Sequence, residues 1–293
     1  MATLFIVSTP IGNLGDLSER AADVLRRADR ILAEDTRRSR VLADHVGATC
    51  PLVSLHAHNE SERTRAVLEW LEAGQTLALV SDAGTPLVSD PGGRLVPAVV
   101  AAGHAVVPIP GASAVMAALV GSGFDATRFT MLGFPARKGR DRDRDLTFAS
   151  ASPYPVVLFE SPQRLVKLLE ELAVRSSGAR EVCVARELTK LHEEFRRGTL
   201  EDVAAYYREH PPKGEVTLVV EGHTSEESPE DRAVRAAELA TVLLGEGRRA
   251  SDVAKEVAKR LDLARNEAYR IVHDVERSSN AAGPSPEDPT HTA

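Results

Sequence analysis

The chain has 293 residues, 43% hydrophobic and 27% charged, and its 36 Lys and Arg against 43 Asp and Glu leave a net charge of −7. That balance excludes a disordered, collagen-like or coiled-coil chain, and at ~150 residues per domain the length suggests about two domains. The acidic charge and the 4% aromatic content also exclude a general affinity for nucleic acid or anionic membrane and a broad base-stacking surface, so any basic patch must be local.

The first part of the chain alternates strands and helices. Leu4 to Ser8 reads as a fully apolar strand, followed by the turn Thr9-Pro10-Ile11-Gly12-Asn13. Leu17 to Ala28 has the helical apolar period, with Ser18 as a cap near its start. Ile31 to Ala33 is a short strand ending in charges, Arg63 to Glu72 a helix stopped by Gly74, and Thr76 to Val80 a buried strand. Arg94 to Ala102 is a helix, Ala105 to Ile109 a strand, and Pro110-Gly111 opens the helix Ala112 to Leu119. Buried strands separated by helices predict a mostly parallel α/β sheet covered on both faces.

After Gly121-Ser122-Gly123 the pattern changes. Strands are expected at Phe129 to Leu132, Pro155 to Phe159, Glu181 to Ala185 and Glu215 to Glu221, with helices at Leu165 to Ala173 and Leu200 to Tyr207. Arg137 to Asp145 reads as a mobile charged loop with a net charge of +2. The expected organisation is an N-terminal α/β domain over 1–121, a second α/β domain over 122–222, and an acidic linker over 223–231. A helical extension over 232–277 and a disordered tail over 278–293 follow. The extension reads as three short amphipathic helices, Arg232 to Leu244, Ser251 to Leu261 and Asn266 to Arg277. They resemble a helix-turn-helix and equally suit a structural cap.

Cys50 and Cys183 lie far apart without a CxxC partner, so a reducing compartment is the default. Leu4-Phe5-Ile6-Val7 lacks the basic flank of a signal peptide. The longest apolar stretch, around Ala112 to Val120, falls short of the ~20 residues a spanning helix needs. A cytoplasmic protein with no membrane association is expected.

Ligands of open parallel sheets bind outside the C-terminal strand ends. Three loops of small residues stand there: Thr9-Pro10-Ile11-Gly12-Asn13, Ser81-Asp82-Ala83-Gly84-Thr85-Pro86 and Pro110-Gly111-Ala112-Ser113-Ala114. One such loop would be an ordinary tight turn, but three in one domain point to a ligand cleft. Neither a GxGxxG fingerprint nor a Walker sequence is present, and no GxSxG elbow supports Ser-His-Asp chemistry. His56-Ala57-His58-Asn59-Glu60 has no further Cys/His cluster to complete a metal site, so no metal is expected. Glu34-Asp35-Thr36-Arg37-Arg38, Glu160-Ser161-Pro162-Gln163-Arg164 and Arg186-Glu187-Leu188-Thr189-Lys190 place paired charges at strand ends. Each reads as a solvated strand end or as part of a charged cleft floor.

Taken in order, these strings carry a resemblance. Thr9-Pro10-Ile11-Gly12-Asn13-Leu14, Glu34-Asp35-Thr36-Arg37, His58-Asn59-Glu60 and Ser81-Asp82-Ala83-Gly84-Thr85-Pro86…Ser89-Asp90-Pro91-Gly92 come first. Pro110-Gly111-x-Ser113-Ala114, Gly133-Phe134, Phe159-Glu160-Ser161-Pro162-x-Arg164, Arg186-Glu187-Leu188-Thr189-Lys190 and Lys213-Gly214-Glu215 follow. From Leu4 to Gly222 the chain resembles the bacterial small-subunit ribosomal RNA cytidine 2′-O-ribose methyltransferases, a branch of the tetrapyrrole-methylase-like, S-adenosylmethionine-dependent enzymes. Ala112, Phe159 and Gln163 stand where that family more often has Pro, Tyr and His.

The resemblance implies two α/β domains of the tetrapyrrole-methylase type, with S-adenosylmethionine in the cleft between them, and usually a homodimer. It implies that Pro10, Thr85, Val88, Pro110, Gly111, Ser113, Phe159 and Ala185 surround the donor. The substrate would be small-subunit ribosomal RNA, naked or in the assembled subunit. A ribose hydroxyl is a poor acid and profits from a general base. Asp35, Glu160 and Glu187 are candidates, with Arg37, Arg164 and Lys190 placing phosphates or pairing those carboxylates; cross-cleft salt bridges explain the same residues as well. Arg137, Lys138 and Arg140 are candidates for tracking phosphates. A tetrapyrrole methyltransferase and a non-catalytic RNA-binding ribosome-assembly protein are the competing readings.

Overall fold

In a parallel sheet covered by helices on both faces, every strand side chain meets a helix. The short runs LFIV, ILA and LALV are therefore apolar throughout rather than alternating. The computed structural model describes residues 2–176, 178–223, 229–261 and 263–281. It divides into two units, Met1–His223 and Thr224–Ala293.

The first sheet of the larger unit is built from β1 (Thr3–Val7), β2 (Arg30–Ala33), β3 (Leu52–Ser54), β4 (Leu77–Val80) and β5 (Ala105–Ile109). Its order is β3-β2-β4-β1-β5, and all its pairs are parallel. Leu4 and Ile6 of β1 turn to one face and Val7 to the other. On the first face they meet Val67 and Leu71 of α3 (Glu60–Glu72) and Leu95 and Val99 of α4 (Leu95–Ala101). On the second face the partners are Ala21 and Leu25 of α1 (Glu19–Arg27) and Leu42, Ala43 and Val46 of α2 (Thr36–Val46). Ser18 caps α1 through its side chain, as its position predicts. From β1 the chain crosses towards β2, and from neighbouring β4 it crosses the other way towards β5. Their C-terminal loops therefore open a crevice.

The second sheet has the order β6-β7-β10-β8-β9, from β6 (Thr130–Gly133), β7 (Val156–Glu160), β8 (Glu181–Arg186), β9 (Glu194–Thr199) and β10 (Val216–Val220). Only β6 and β7 pair parallel; β10 runs antiparallel to β7 and β8, and β9 antiparallel to β8. One face packs on α6 (Arg140–Ala151), α7 (Pro162–Ser176) and α8 (Leu200–Glu209) through Leu146, Leu165, Leu169 and Tyr207. The other face, with Val157, Cys183 and Val219, packs on Val115, Ala118 and Leu119 of α5 (Ala114–Ser122). The helix that follows the first sheet's last strand thus forms the floor of the second sheet, welding the two sheets together.

Six segments differ from the sequence expectation. Arg137 to Asp145 is helical from Arg140 onward rather than a loop; Arg142 is buried against Glu171 at 2.7 Å, and Arg175 holds Asp143 at 2.9 Å. α2 and the edge strands β3 and β9 stand where no element is expected. Of the acidic linker, residues 224–228 lie outside the described residues, and a helix already begins at Pro229. Of the tail, 278–281 are helical and the remainder lies outside the described residues.

The smaller unit consists of α9 (Pro229–Gly245), α10 (Ala250–Arg260) and α11 (Arg265–Ala281). All three helices touch one another around a core that includes Ala236, Ala240, Val253, Val257, Ala268 and Val272. Two basic side chains of α10 are paired within the helix: Lys255 lies 3.4 Å from Asp252 and Arg260 2.7 Å from Glu256.

Candidate active site in the cleft between the two sheets

The loops after β1, β4 and β5 are tied into one wall. Thr9 and Gly84 exchange backbone hydrogen bonds at 2.8 and 3.1 Å. The Ser8 and Thr85 hydroxyls lie 2.9 Å apart, and Thr85 Oγ1 donates to Ala112 O at 3.4 Å. Gly111 fits against this knot because it has no side chain: a Cβ there would lie 2.9 Å from Ser8 Cβ. Gly12 does the same across the cleft, where a Cβ would meet Lys190 Cγ at 2.5 Å and Leu188 O at 3.0 Å.

Between this wall and the ends of β7 and β10 lies a cavity of about 480 Å³. Ile11, Val88, Phe134 and Phe159 give it an apolar side, and the two phenyl rings stand 5.3 Å apart. Glu160 has a fully buried side chain. Its Oε1 accepts from Arg164 at 2.5 Å and from Ser161 N at 2.7 Å, whereas the buried Oε2 has no partner among the described residues. An orphaned carboxylate oxygen on a cavity wall is a place for a ligand's donor.

The opposite side is acidic. Glu34, Asp82 and Asp90 line the cavity with Arg38 beside them, 3.2 Å from Asp82. Burial pushes the Asp90 carboxyl up to about 6, with the neighbouring Glu34 charge adding to the rise. Burial raises Glu34 as well, and Asp82 reinforces it. The loop that carries Asp90 is under backbone strain, since Leu87 and Ser89 have φ of 73° and 68°. Glu60 anchors its far end: the buried carboxylate accepts from Gly92 N at 3.2 Å, Arg94 N at 2.8 Å and Leu95 N at 3.0 Å, capping α4.

Residues 3–204 match the model of the Tetrapyrrole (Corrin/Porphyrin) Methylases. The chain belongs to this methylase family. A protein of Synechocystis sp. named ribosomal RNA small subunit methyltransferase I is 42% identical over 276 residues, covering 94% of this chain and 99% of that protein. One of the same name from Micromonospora olivasterospora is 43% identical over 284 residues, covering 97% of this chain and 90% of its own length. A solved uroporphyrin-III C-methyltransferase from Thermus thermophilus, complexed with S-adenyl homocysteine, superposes with a TM-score of 0.54 at 20% identity, covering 75% of this chain and 97% of that one. That likeness shows the fold. It agrees with the expected α/β architecture of the tetrapyrrole-methylase type.

Within this methylase fold the expected site residues separate into groups. Thr85, Val88, Ser113, Phe159 and Glu160 line the cavity. Pro10, Pro110 and Gly111 lie in its framing loops but not on its lining, and Arg164 stands behind Glu160. Ala185 is fully buried beneath α5, away from the lining. Glu187 and Lys190 sit behind the wall formed by Gly214 and Glu215. Lys190 Nζ bridges Glu187 and Glu215 at 2.9 Å each, and its hydrogen bond lowers the Glu187 carboxyl. Asp35 caps α2 through Arg37 N, and the hydrogen bonds from Arg37 lower its carboxyl to about 2. Arg37, Arg137, Lys138 and Arg140 are exposed and outside the lining. Glu34, Arg38, Asp82, Asp90 and Glu60 were not singled out as site residues by sequence reasoning, although Glu34, Asp82, Asp90 and Glu60 stand inside the strings that carried the resemblance. For Glu34 and Asp82 the position just past β2 and β4 was the available signal.

Proposed function

We propose that this chain is an S-adenosylmethionine-dependent methyltransferase that methylates the ribose 2′-hydroxyl of a cytidine in small-subunit ribosomal RNA. The observation that carries this reading is the 42–43% identity along nearly the whole chain to methyltransferases named for that RNA, together with a cleft of the right size and chemistry. A cavity of about 480 Å³ lies within the 300–1,000 Å³ typical of small-ligand sites.

The residues present fit such a donor. Ile11, Val88 and Phe159 offer an apolar surface to an adenine ring. The unpartnered Glu160 Oε2 offers an acceptor to a ribose hydroxyl or an ammonium group. When bound, S-adenosylmethionine supplies an electrophilic methyl carbon on a positively charged sulfur. The chain supplies alignment and a water-poor pocket: the knotted loops around Thr85, with Ser113 capping α5, fix one wall, and the ends of β7 and β10 fix the other. The acidic side favours a cationic sulfonium over its neutral product, so it also assists release after transfer.

Arg37 and Arg38 at the start of α2, with Arg137, Lys138 and Arg140 beyond Phe134, supply local positive charge for phosphates. An unpaired nucleotide suits so narrow a cleft better than a duplex does. A homodimer and a cytoplasmic location belong to the same reading. Met116 and Val120, exposed one turn apart on α5, support the first. Among the described residues no helix is long and apolar enough to cross a membrane. Transfer of labelled methyl groups to isolated small subunits, compared with transfer to a porphyrinoid, tests the reading; label in the porphyrinoid alone rejects it.

A further inference from the structure

We propose that Phe134 is the stacking face for the base of the acceptor nucleotide, which it holds clear of its strand while the attached ribose enters the cavity. The proposal rests on the methyltransfer reading above and names the residue that grips the acceptor.

Phe134 stands apart from the other rings of the chain. It lines the cavity yet is 56% exposed, so it sits at the mouth rather than in the interior. Phe129, Phe148, Tyr154 and Tyr269 are less exposed and lie off the lining. Phe159, the other ring of the lining, is partly buried, and its centroid is 5.3 Å from that of Phe134 with the planes at 50°. That contact steadies Phe134 and still leaves more than half of the residue open. A phenyl open at a cavity mouth offers a surface to any base, because every base has a π-face.

The backbone is built to hold this ring outward. The β6–β7 register shifts between Met131 and Gly133, and a bulge of this kind re-aims the side chain beside it. Gly133 and Pro135 are buried on either side of exposed Phe134. Just past them, Ala136 O accepts from Arg142 at 3.0 Å, and Arg142 is itself buried against Glu171. The chain is thus fixed before and after a ring that it leaves open.

Charge identifies the occupant. Asp141 and Asp145 are spent on Arg144, and Asp143 on Arg175. Arg137, Lys138 and Arg140, just beyond Phe134, are left exposed with no carboxylate partner among the described residues. An open ring beside free cations fits a nucleotide of an unpaired strand, its base on the ring and the neighbouring phosphates on the cations. The donor's adenine is the competing occupant, and the less exposed Ile11 and Phe159 already offer it an apolar surface.

The experiment compares wild type with Phe134→Ala, Phe134→Leu and Phe134→Tyr in the full chain. With S-adenosylmethionine saturating, kcat/KM for isolated small subunits falls about 5- to 150-fold in Phe134→Ala, the loss that matches one base–aromatic stack. Phe134→Leu keeps apolar bulk without a π-face and stays at least about fivefold below wild type, whereas Phe134→Tyr recovers to within about threefold. Calorimetric affinity for S-adenosylhomocysteine stays within about threefold in every variant, as suits a ring that serves the acceptor and not the donor. The urea midpoint barely moves, because the residue is mostly exposed. A merely structural role would move that midpoint and would not separate Leu from Tyr. The Leu–Tyr comparison decides the matter even if Phe134→Ala folds poorly. Phe134→Ala within about threefold of wild type in kcat/KM overturns the proposal, as does Phe134→Leu equal to Phe134→Tyr. A fall in S-adenosylhomocysteine affinity that accounts for the whole loss also overturns it and gives the ring to the donor's adenine. Wild type that methylates no ribosomal RNA overturns the functional reading instead, and that result is visible before any variant is made.

Discussion

Glu60→Ala removes a side chain that touches no ligand, yet it should loosen the cavity. One carboxylate oxygen serves three backbone N–H groups, at 2.8, 3.0 and 3.2 Å, at the start of the seven-residue helix α4. Arg94 is exposed and its N–H rehydrates on truncation, whereas Gly92 and Leu95 are buried. Two buried donors left without an acceptor cost about 1–3 kcal/mol each, less the desolvation the carboxylate no longer suffers. A net loss of about 2–4 kcal/mol follows, a large share of a typical stability of about 5–15 kcal/mol. Glu60→Gln keeps an acceptor oxygen and should lose no more than about half as much. Urea unfolding of the full chain measures the loss, and amide hydrogen exchange at Gly92 and Leu95 localises it. Because the same loop carries Val88 and Asp90, affinity for S-adenosylhomocysteine should fall as well. Unchanged exchange at those two amides with an unchanged urea midpoint in Glu60→Ala would refute the anchoring role.

Other perturbations probe separate parts of the cleft. Gly111→Val drives a side chain into Ser8, where even a Cβ lies 2.9 Å from Ser8 Cβ and 3.2 Å from Ser8 O; donor affinity measured by calorimetry should fall about 5- to 150-fold, since a displacement of this kind costs about 1–3 kcal/mol. Arg164→Ala leaves the fully buried Glu160 without its cation at 2.5 Å, and urea unfolding should show a loss of about 3 kcal/mol, the low end for a broken buried pair because the Arg164 side chain is 31% exposed. Replacing Arg137, Lys138 and Arg140 together by Ala should weaken binding to small subunits and lower the salt slope by up to about 3, leaving S-adenosylhomocysteine affinity unchanged. An unchanged slope in filter binding removes these residues from the RNA surface.

The fold was legible wherever burial left a periodic or unbroken apolar signature. β4 and β10 are fully buried, and β1, β4 and β10 are apolar but for Thr3 and Thr217. β9 escaped notice because it is an edge strand whose sequence EFRRGT carries little apolar signal: Phe195 packs on the α5 side, Arg197 donates to Ser122 O at the end of α5, and Arg196 lies over the Tyr206 ring. α2 was obscured by Arg37, Arg38 and Arg40, whose charge hid the spacing of Leu42, Ala43 and Val46. α6 was mistaken for a loop because its charges pair within the fold: Arg144 meets Asp141 at 3.3 Å, and Arg142 turns inward.

At the site, the three loops were readable because glycine, proline and small hydroxyl residues at strand ends have few other uses. The acidic side of the cavity was not readable. Asp35 and Glu34 are neighbours in sequence, and only the structure shows that Asp35 caps a helix while Glu34 turns to the cavity. The cross-chain reach of Glu60 to the start of α4 also has no local signature.

The most direct test is to incubate the purified chain with labelled S-adenosylmethionine and isolated small ribosomal subunits that lack the modification, then digest the RNA to nucleosides. Label in 2′-O-methylcytidine at a single site is the predicted result. Label on a base, on a porphyrinoid offered in parallel, or on nothing at all would contradict the assignment.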